Sequence, residues 1–116
     1  MEATNSISLL QNIQKENLYT QTIQQLNKDF QLANIDKSFS VLIEPIDLKK
    51  ELNKFIKNLL INNYDGYLNL LYRIDVSEKE LRKISDKMLT ETIEEISFLI
   101  LKREFQKVML KKRYSK

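Results

Sequence analysis

Glu91, Glu94 and Glu95 stand at a spacing that sets three carboxylates along one helix. Some all-helical nucleotide hydrolases gather such residues from facing helices around Mg²⁺ and a phosphate. That chemistry needs a second acidic cluster opposite the first, and Asp47 with Glu51, or Asp65, are poor candidates for it. Acidic residues near a helix start also answer the positive end of the macrodipole, which is the plainer account of these three. Other catalytic classes close quickly. The chain has no His and no Cys, so it cannot assemble a Ser-His-Asp or Cys-His site, a zinc site of the usual ligands, or a histidine proton shuttle. Its single glycine excludes the glycine-rich phosphate loops. The expectation is a protein that is not an enzyme and needs neither cofactor nor metal, with the Mg²⁺ phosphohydrolase as a remote alternative.

A second set of residues carries charge. Lys102, Arg103, Lys107, Lys111, Lys112, Arg113 and Lys116 crowd the C-terminal end, although the net charge of the chain is only +3. Such a stretch neutralises phosphates and points to nucleic acid. Cations at a helix C-terminus also suit the dipole, and Tyr114 is the only aromatic nearby for base stacking. Arg103, Lys107, Lys111, Lys112 and Arg113 are therefore a candidate partner or nucleic-acid surface, with nucleic acid the less favoured occupant. Tyr64, Tyr67 and Tyr72 are candidate interface aromatics, because tyrosine is enriched at binding hot spots. On an apolar helix such tyrosines are more commonly core residues whose hydroxyls reach water. Arg73 and Asp75, flanking Ile74, suggest a structural ion pair with another helix.

The elements that position these residues read as helices. At 116 residues, 42% apolar and 30% charged, with one Gly and one Pro, the chain fits one globular domain and lacks the turn residues an all-β fold needs. Residues 1–15 suit either a weak helix or a flexible tail, leaving 16–116 as the domain. Tyr19, Ile23, Leu26, Phe30 and Ala33 step by four and three, which predicts a helix over 17–34. Residues 38–44 read as extended, since Pro45 pushes Glu44 out of helical geometry. This segment either lies across the helices as a packed linker or pairs with its own copy in a dimer. Pro45 opens the next helix with Asp47 in its first turn, and Leu48, Leu52, Phe55 and Leu59 form its stripe until Asn62-Asn63, residues suited to a left-handed ending.

Residues 64–74 are apolar nearly all round and are expected at the centre of the fold. Ser77 with Glu80 makes a capping box, and Val76 staples onto Leu81, so a short helix starts at residue 78 and ends near 85–87. A last long helix spans about 90–113. Its Ile93, Ile96 and Ile100 face continues as Arg103, Lys107 and Lys111, and the expectation is that the helix leaves the core near Arg103 with that face solvated.

The run Asn69-Leu-Leu-Tyr-Arg-Ile-Asp-Val-Ser-Glu78, followed by Leu99-Ile-Leu-Lys-Arg-Glu-Phe-Gln-Lys107, resembles a family of small all-helical bacterial proteins with no established function. The resemblance covers about residues 64–113 and implies an all-helical fold without naming an activity. The expected protein is a compact bundle of four to five helices. It acts as a non-catalytic protein-interaction module that binds a protein partner or its own copy as a dimer. No apolar run is long enough to span a membrane, and a polar, acidic start with no cysteine favours a cytoplasmic location.

Overall fold

A computed structural model describes residues 5–84 and 88–114. They form an all-helical globule of six helices: α1 (Ser6–Lys15), α2 (Tyr19–Leu32), α3 (Pro45–Asn62), α4 (Tyr64–Ile74), α5 (Glu78–Arg82) and α6 (Leu89–Tyr114). The count exceeds the expected four to five because the N-terminal segment is itself a core helix. Asn5 Oδ1 caps α1 by accepting from the Ser8 amide at 2.9 Å, and Leu10 and Ile13 are fully buried. Residues 1–4, 85–87 and 115–116 lie outside the described residues.

The spine is α6, whose 26 residues extend about 39 Å at 1.5 Å per residue. It packs against α1, α2, α3 and α4. Phe30 of α2 is fully buried and meets the rings of Phe39 at 5.6 Å and Phe55 at 5.4 Å. Edge-to-face and offset aromatic pairs of this kind add to simple area burial. Among the described residues no helix is long and apolar enough to cross a membrane.

With one glycine available, the chain turns on Asn17, Asn34 and Asp75, whose φ values are 60°, 62° and 69°. After each, an amide bonds back across the helix end: Leu18 N to Ile13 O at 3.1 Å, Ile35 N to Phe30 O at 3.0 Å, and Val76 N to Leu71 O at 3.1 Å. The apolar side chains of each pair join the core, so three helix ends are closed by the same hydrogen-bond and contact pattern. The end of α3 differs from expectation. Asn63 is not left-handed (φ −153°) and serves as the N-cap of α4, its Oδ1 accepting from Gly66 N at 3.0 Å. A Cβ at Gly66 would stand 2.8 Å from the Asn63 Cγ, so the glycine keeps this cap in place.

Residues 38–44 lie against the helices through Phe39, Val41 and Ile43, and they are not extended throughout: Ile43 N bonds Ser40 O at 3.1 Å in a turn that leaves Leu42 87% exposed. The Phe39 amide donates to Asn27 Oδ1 at 2.8 Å and its carbonyl accepts from Asn27 Nδ2 at 2.9 Å. One side-chain amide thus supplies both bonds that a neighbouring strand would have made. Ser77 caps α5 as expected, its Oγ accepting from Glu80 N at 3.3 Å, while the Glu80 carboxylate is held by Lys102 Nζ at 3.0 Å. The helix ends at Arg82, short of the expected end near 85–87, with Lys83 N bonding back to Glu80 O at 3.1 Å.

Two expectations of placement are corrected. Helix α4 buries Tyr67, Leu70, Leu71 and Ile74 but leaves Tyr64, Leu68 and Tyr72 exposed at 56%, 46% and 81%. It lies at the edge of the fold, not the centre, with α2, α3 and α6 packed along its buried side. Helix α6 does not leave the core at Arg103: Glu104 is fully buried and Val108 is buried beyond it.

Candidate functional site

The first turns of the cationic face of α6 meet polar groups of the fold. Arg103 Nη2 bonds Asp75 Oδ2 at 3.1 Å, the ion pair anticipated for Asp75. Lys107 Nζ reaches Asp29 Oδ2 at 2.6 Å, and Lys111 Nζ donates to Gln25 Oε1. Lys112 and Arg113 are exposed. The predicted cationic stripe is therefore split, its first two members spent on acids and its last three lying nearer solvent. The causes are Asp75 at the end of α4 and a polar row on α2, where Gln25 and Asp29, one turn apart, are buried facing α6.

At the centre of this seam lies Glu104, with no exposed surface. Neither of its oxygens finds a hydrogen-bond donor, and the nearest ammonium, Lys107 Nζ, stands 3.6 Å away. Burial, reinforced by hydrogen bonding to Asp29 and by the Asp29 charge, pushes the Glu104 carboxyl up to about 9. Glu104 is thus protonated at neutral pH and can donate to Asp29, which resolves two acceptors facing each other. Burial also acts to raise Asp29, but hydrogen bonds from Glu104, Lys107 and Gln25 and the Lys107 charge outweigh it, leaving Asp29 below its ordinary value. The seam holds one proton, one carboxylate and one ammonium in a network that continues through Gln25 Nε2, 3.3 Å from Asp29 Oδ1, to Lys111.

That network ends in a cleft of about 620 Å³ between the α1–α2 junction and the end of α6, lined by Lys28, Lys111, Lys112, Gln21, Gln24 and Glu16 around Leu18 and Val108. Sequence reading missed Gln25, Asp29, Glu104 and Lys28. A signal existed: Glu104 interrupts the apolar spacing of Leu101 and Val108, and Asp29 sits between Leu26 and Phe30. A polar residue on the apolar stripe of each of two helices marks a buried polar contact.

The tyrosines divide. Tyr67 is buried, and burial together with Tyr64 pushes its hydroxyl up to about 12. Tyr64 stacks on it with ring centroids 5.7 Å apart and, like Tyr72, keeps an exposed face. Tyr64, Leu68 and Tyr72 follow at i, i+4 and i+8 along one row, and exposed Asp65, Asn69 and Arg73 form the row beside it.

The acidic set does not converge. Glu94 pairs with Lys49 at 2.8 Å and accepts from Asn53 at 3.0 Å, while Glu51 pairs with Lys37 at 3.2 Å. Among the described residues no group of three or more His, Cys, Asp or Glu comes together that could hold a metal ion. No protein-family model, curated protein or solved structure matches the chain.

Proposed function

We propose that this chain is a non-catalytic helical interaction module that associates through the outward face of α4, with a second copy of itself as partner. The observation that supports this reading is the self-complementarity of that face. Tyr64, Leu68 and Tyr72 read the same from either end, and beside them Asp65 and Arg73 stand four residues to either side of Asn69. When two such helices pack antiparallel about a two-fold axis, Leu68 meets its copy and Tyr64 meets Tyr72, while Asp65 comes within two residues, about 3 Å along the axis, of Arg73 at each end, a gap the arginine side chain spans. Helix dipoles run in opposition in this pairing, which is also favourable. Burial of these aromatic and aliphatic groups supplies the attraction, and the charge pair sets direction and register. One helix pair is smaller than the roughly 800 Å² per partner of a standard interface, so the association belongs in the weak, concentration-dependent class.

The nucleic-acid alternative draws on fewer residues than its sequence pattern promised, because Arg103 and Lys107 already bond acids of the fold. Sedimentation equilibrium between micromolar and millimolar concentration tests the proposal. The expected mass rises from 13.8 kDa towards twice that value. Asp65→Arg and Arg73→Asp each weaken the dimer, and the double charge exchange restores it. A monomer across the whole range, or a dimer indifferent to all three variants, would overturn the α4 interface.

A further inference from the structure

Gln25 and Asp29 occupy successive turns of α2 and hold Lys111 and Lys107, occupants of successive turns of α6. The two pairs differ in one respect. Asp29 neutralises Lys107, whereas Gln25 fixes Lys111 through a neutral amide and leaves its charge unspent. Gln25 is itself only 8% exposed and is committed at both ends, to Asp29 and to Lys111. A buried, fully engaged side chain thus places one cation at the lip of the 620 Å³ cleft, which reduces the conformational entropy that this lysine would lose on meeting a ligand. Lys28 and Lys112 face the same cleft, against Glu16 alone among acids, so its lining carries two net positive charges.

We infer that this cleft binds a small organic phosphate, with Lys28, Lys111 and Lys112 around the phosphate dianion and Leu18 and Val108 against the organic part. The donors favour phosphate over a carboxylate. Three ammoniums act as point charges that surround a tetrahedral group, whereas carboxylates are best matched by the planar fork of arginine, and no arginine lines the cleft. Gln21 and Gln24 add neutral donors for the remaining oxygens. The volume lies within the range of small-molecule sites and exceeds what phosphate alone would fill, which calls for an attached organic group. Leu18 and Val108, at 5% and 6% exposure, show only small fixed edges at the base of the cleft, and the aliphatic stems of the lining lysines and glutamines extend the apolar surface.

The test is an amide NMR titration of the full chain with phenyl phosphate, with inorganic phosphate and phenyl sulfate as comparisons and a short single-stranded RNA as a competing class. Phenyl phosphate should shift the amides around Leu18, Gln21, Lys28 and Val108, saturably, and bind more tightly than either comparison by about tenfold or more. Lys28→Met, at an exposed position where folding is not at stake, should weaken it about tenfold, as should Lys111→Met, while Lys57→Met on α3 should leave it unchanged. Gln25→Glu should also weaken it, by neutralising Lys111 in the way Asp29 neutralises Lys107. Shifts scattered over all surface lysines, equal response to phenyl sulfate, or indifference to Lys28→Met would overturn the inference. Tighter binding of the RNA through the same residues would overturn it in favour of a nucleic-acid surface. The α4 pairing is read out by mass and does not involve these residues, so either proposal can fail alone.

Discussion

Between α2 and α6 the fold buries Asp29 and Glu104, while on the outer side of α4 it leaves Tyr64, Leu68 and Tyr72 in water. Each region reverses the usual distribution of polar and apolar groups, and the two reversals have opposite consequences. A buried polar network loses free energy through desolvation and recovers it only if every member is satisfied, which ties the positions of α2 and α6 to a single arrangement. An exposed apolar row costs the isolated chain little, since single apolar residues at a surface are ordinary. Aligned on one helix, however, they retain an attraction that a second surface can use. The seam therefore bears on how the monomer holds together, and the α4 face on what the monomer does next.

The largest effect should come from removing the one cation in the seam. Lys107→Met leaves the Asp29 carboxylate buried without its ammonium, and loss of one partner of a buried pair costs about 3–5 kcal/mol. Urea denaturation at neutral pH measures this directly. If the loss stayed below about 1 kcal/mol, the seam would behave like an exposed ion pair, and the contrast with α4 would collapse.

Glu104 gives the next effect, and its sign is opposite. A carboxyl raised from 4.5 to about 9 keeps its proton in the folded chain over a pH window where the unfolded chain has released it. The native state then binds more protons, and stability falls as pH rises from the ordinary carboxylate range towards 9. A proton retained by the folded chain alone costs about 1.4 kcal/mol for every pH unit climbed, which places about 3 kcal/mol of lost stability between that range and pH 7. Asp29, held below its ordinary value, acts in the other direction and its contribution is lost only on strong acidification. Glu104→Gln mimics the protonated form without the titration. It should stabilise the protein by about 1–3 kcal/mol at pH 7–8 and flatten the decline in thermal midpoint between pH 5 and 9. A wild-type midpoint that does not fall across that range would mean Glu104 is ionised in the folded chain.

Much of the fold was legible from residue spacing, and the parts that were not share a cause. The α2, α3 and α6 stripes, Pro45 at the first turn of α3, and Ser77 as a cap all depend on contacts within a few residues, so local pattern suffices. The seam depends on Asp29 meeting Glu104 and Lys107 across 75 and 78 positions of sequence, and nothing in either helix alone announces its partner. From sequence alone the cationic face of α6 reads as solvated, because a lysine on a helix surface has that meaning by default. Here Asp29 and Gln25 of α2 hold Lys107 and Lys111, and Asp75 holds Arg103. Helix α4 departs from its expected central place for a related reason: its composition reports that many of its residues are apolar, but not how many neighbours the fold can supply to cover them. Three helices cover one side, and the remaining row of Tyr64, Leu68 and Tyr72 is the candidate interface.

The smallest expected effect on the monomer is also the most discriminating for α4. Leu68→Asp places a charge at the centre of the row, where the two-fold arrangement would bring it against its own copy. In the dilute, monomeric chain this position is 46% exposed and contacts little, so stability should change by no more than about 0.5 kcal/mol, as for other surface substitutions. At high concentration the variant and the parent should diverge. Any species that binds only the folded state raises its apparent stability by mass action, so the parent's thermal midpoint should climb with protein concentration while that of Leu68→Asp stays level. A variant that loses stability strongly even when dilute would show that Leu68 supports the monomer core. A parent whose midpoint ignores concentration would show that the row meets no second copy. The expected result is parallel behaviour in dilute solution and separation above it, which assigns the α4 face to association and leaves the α2–α6 seam as the determinant of monomer stability.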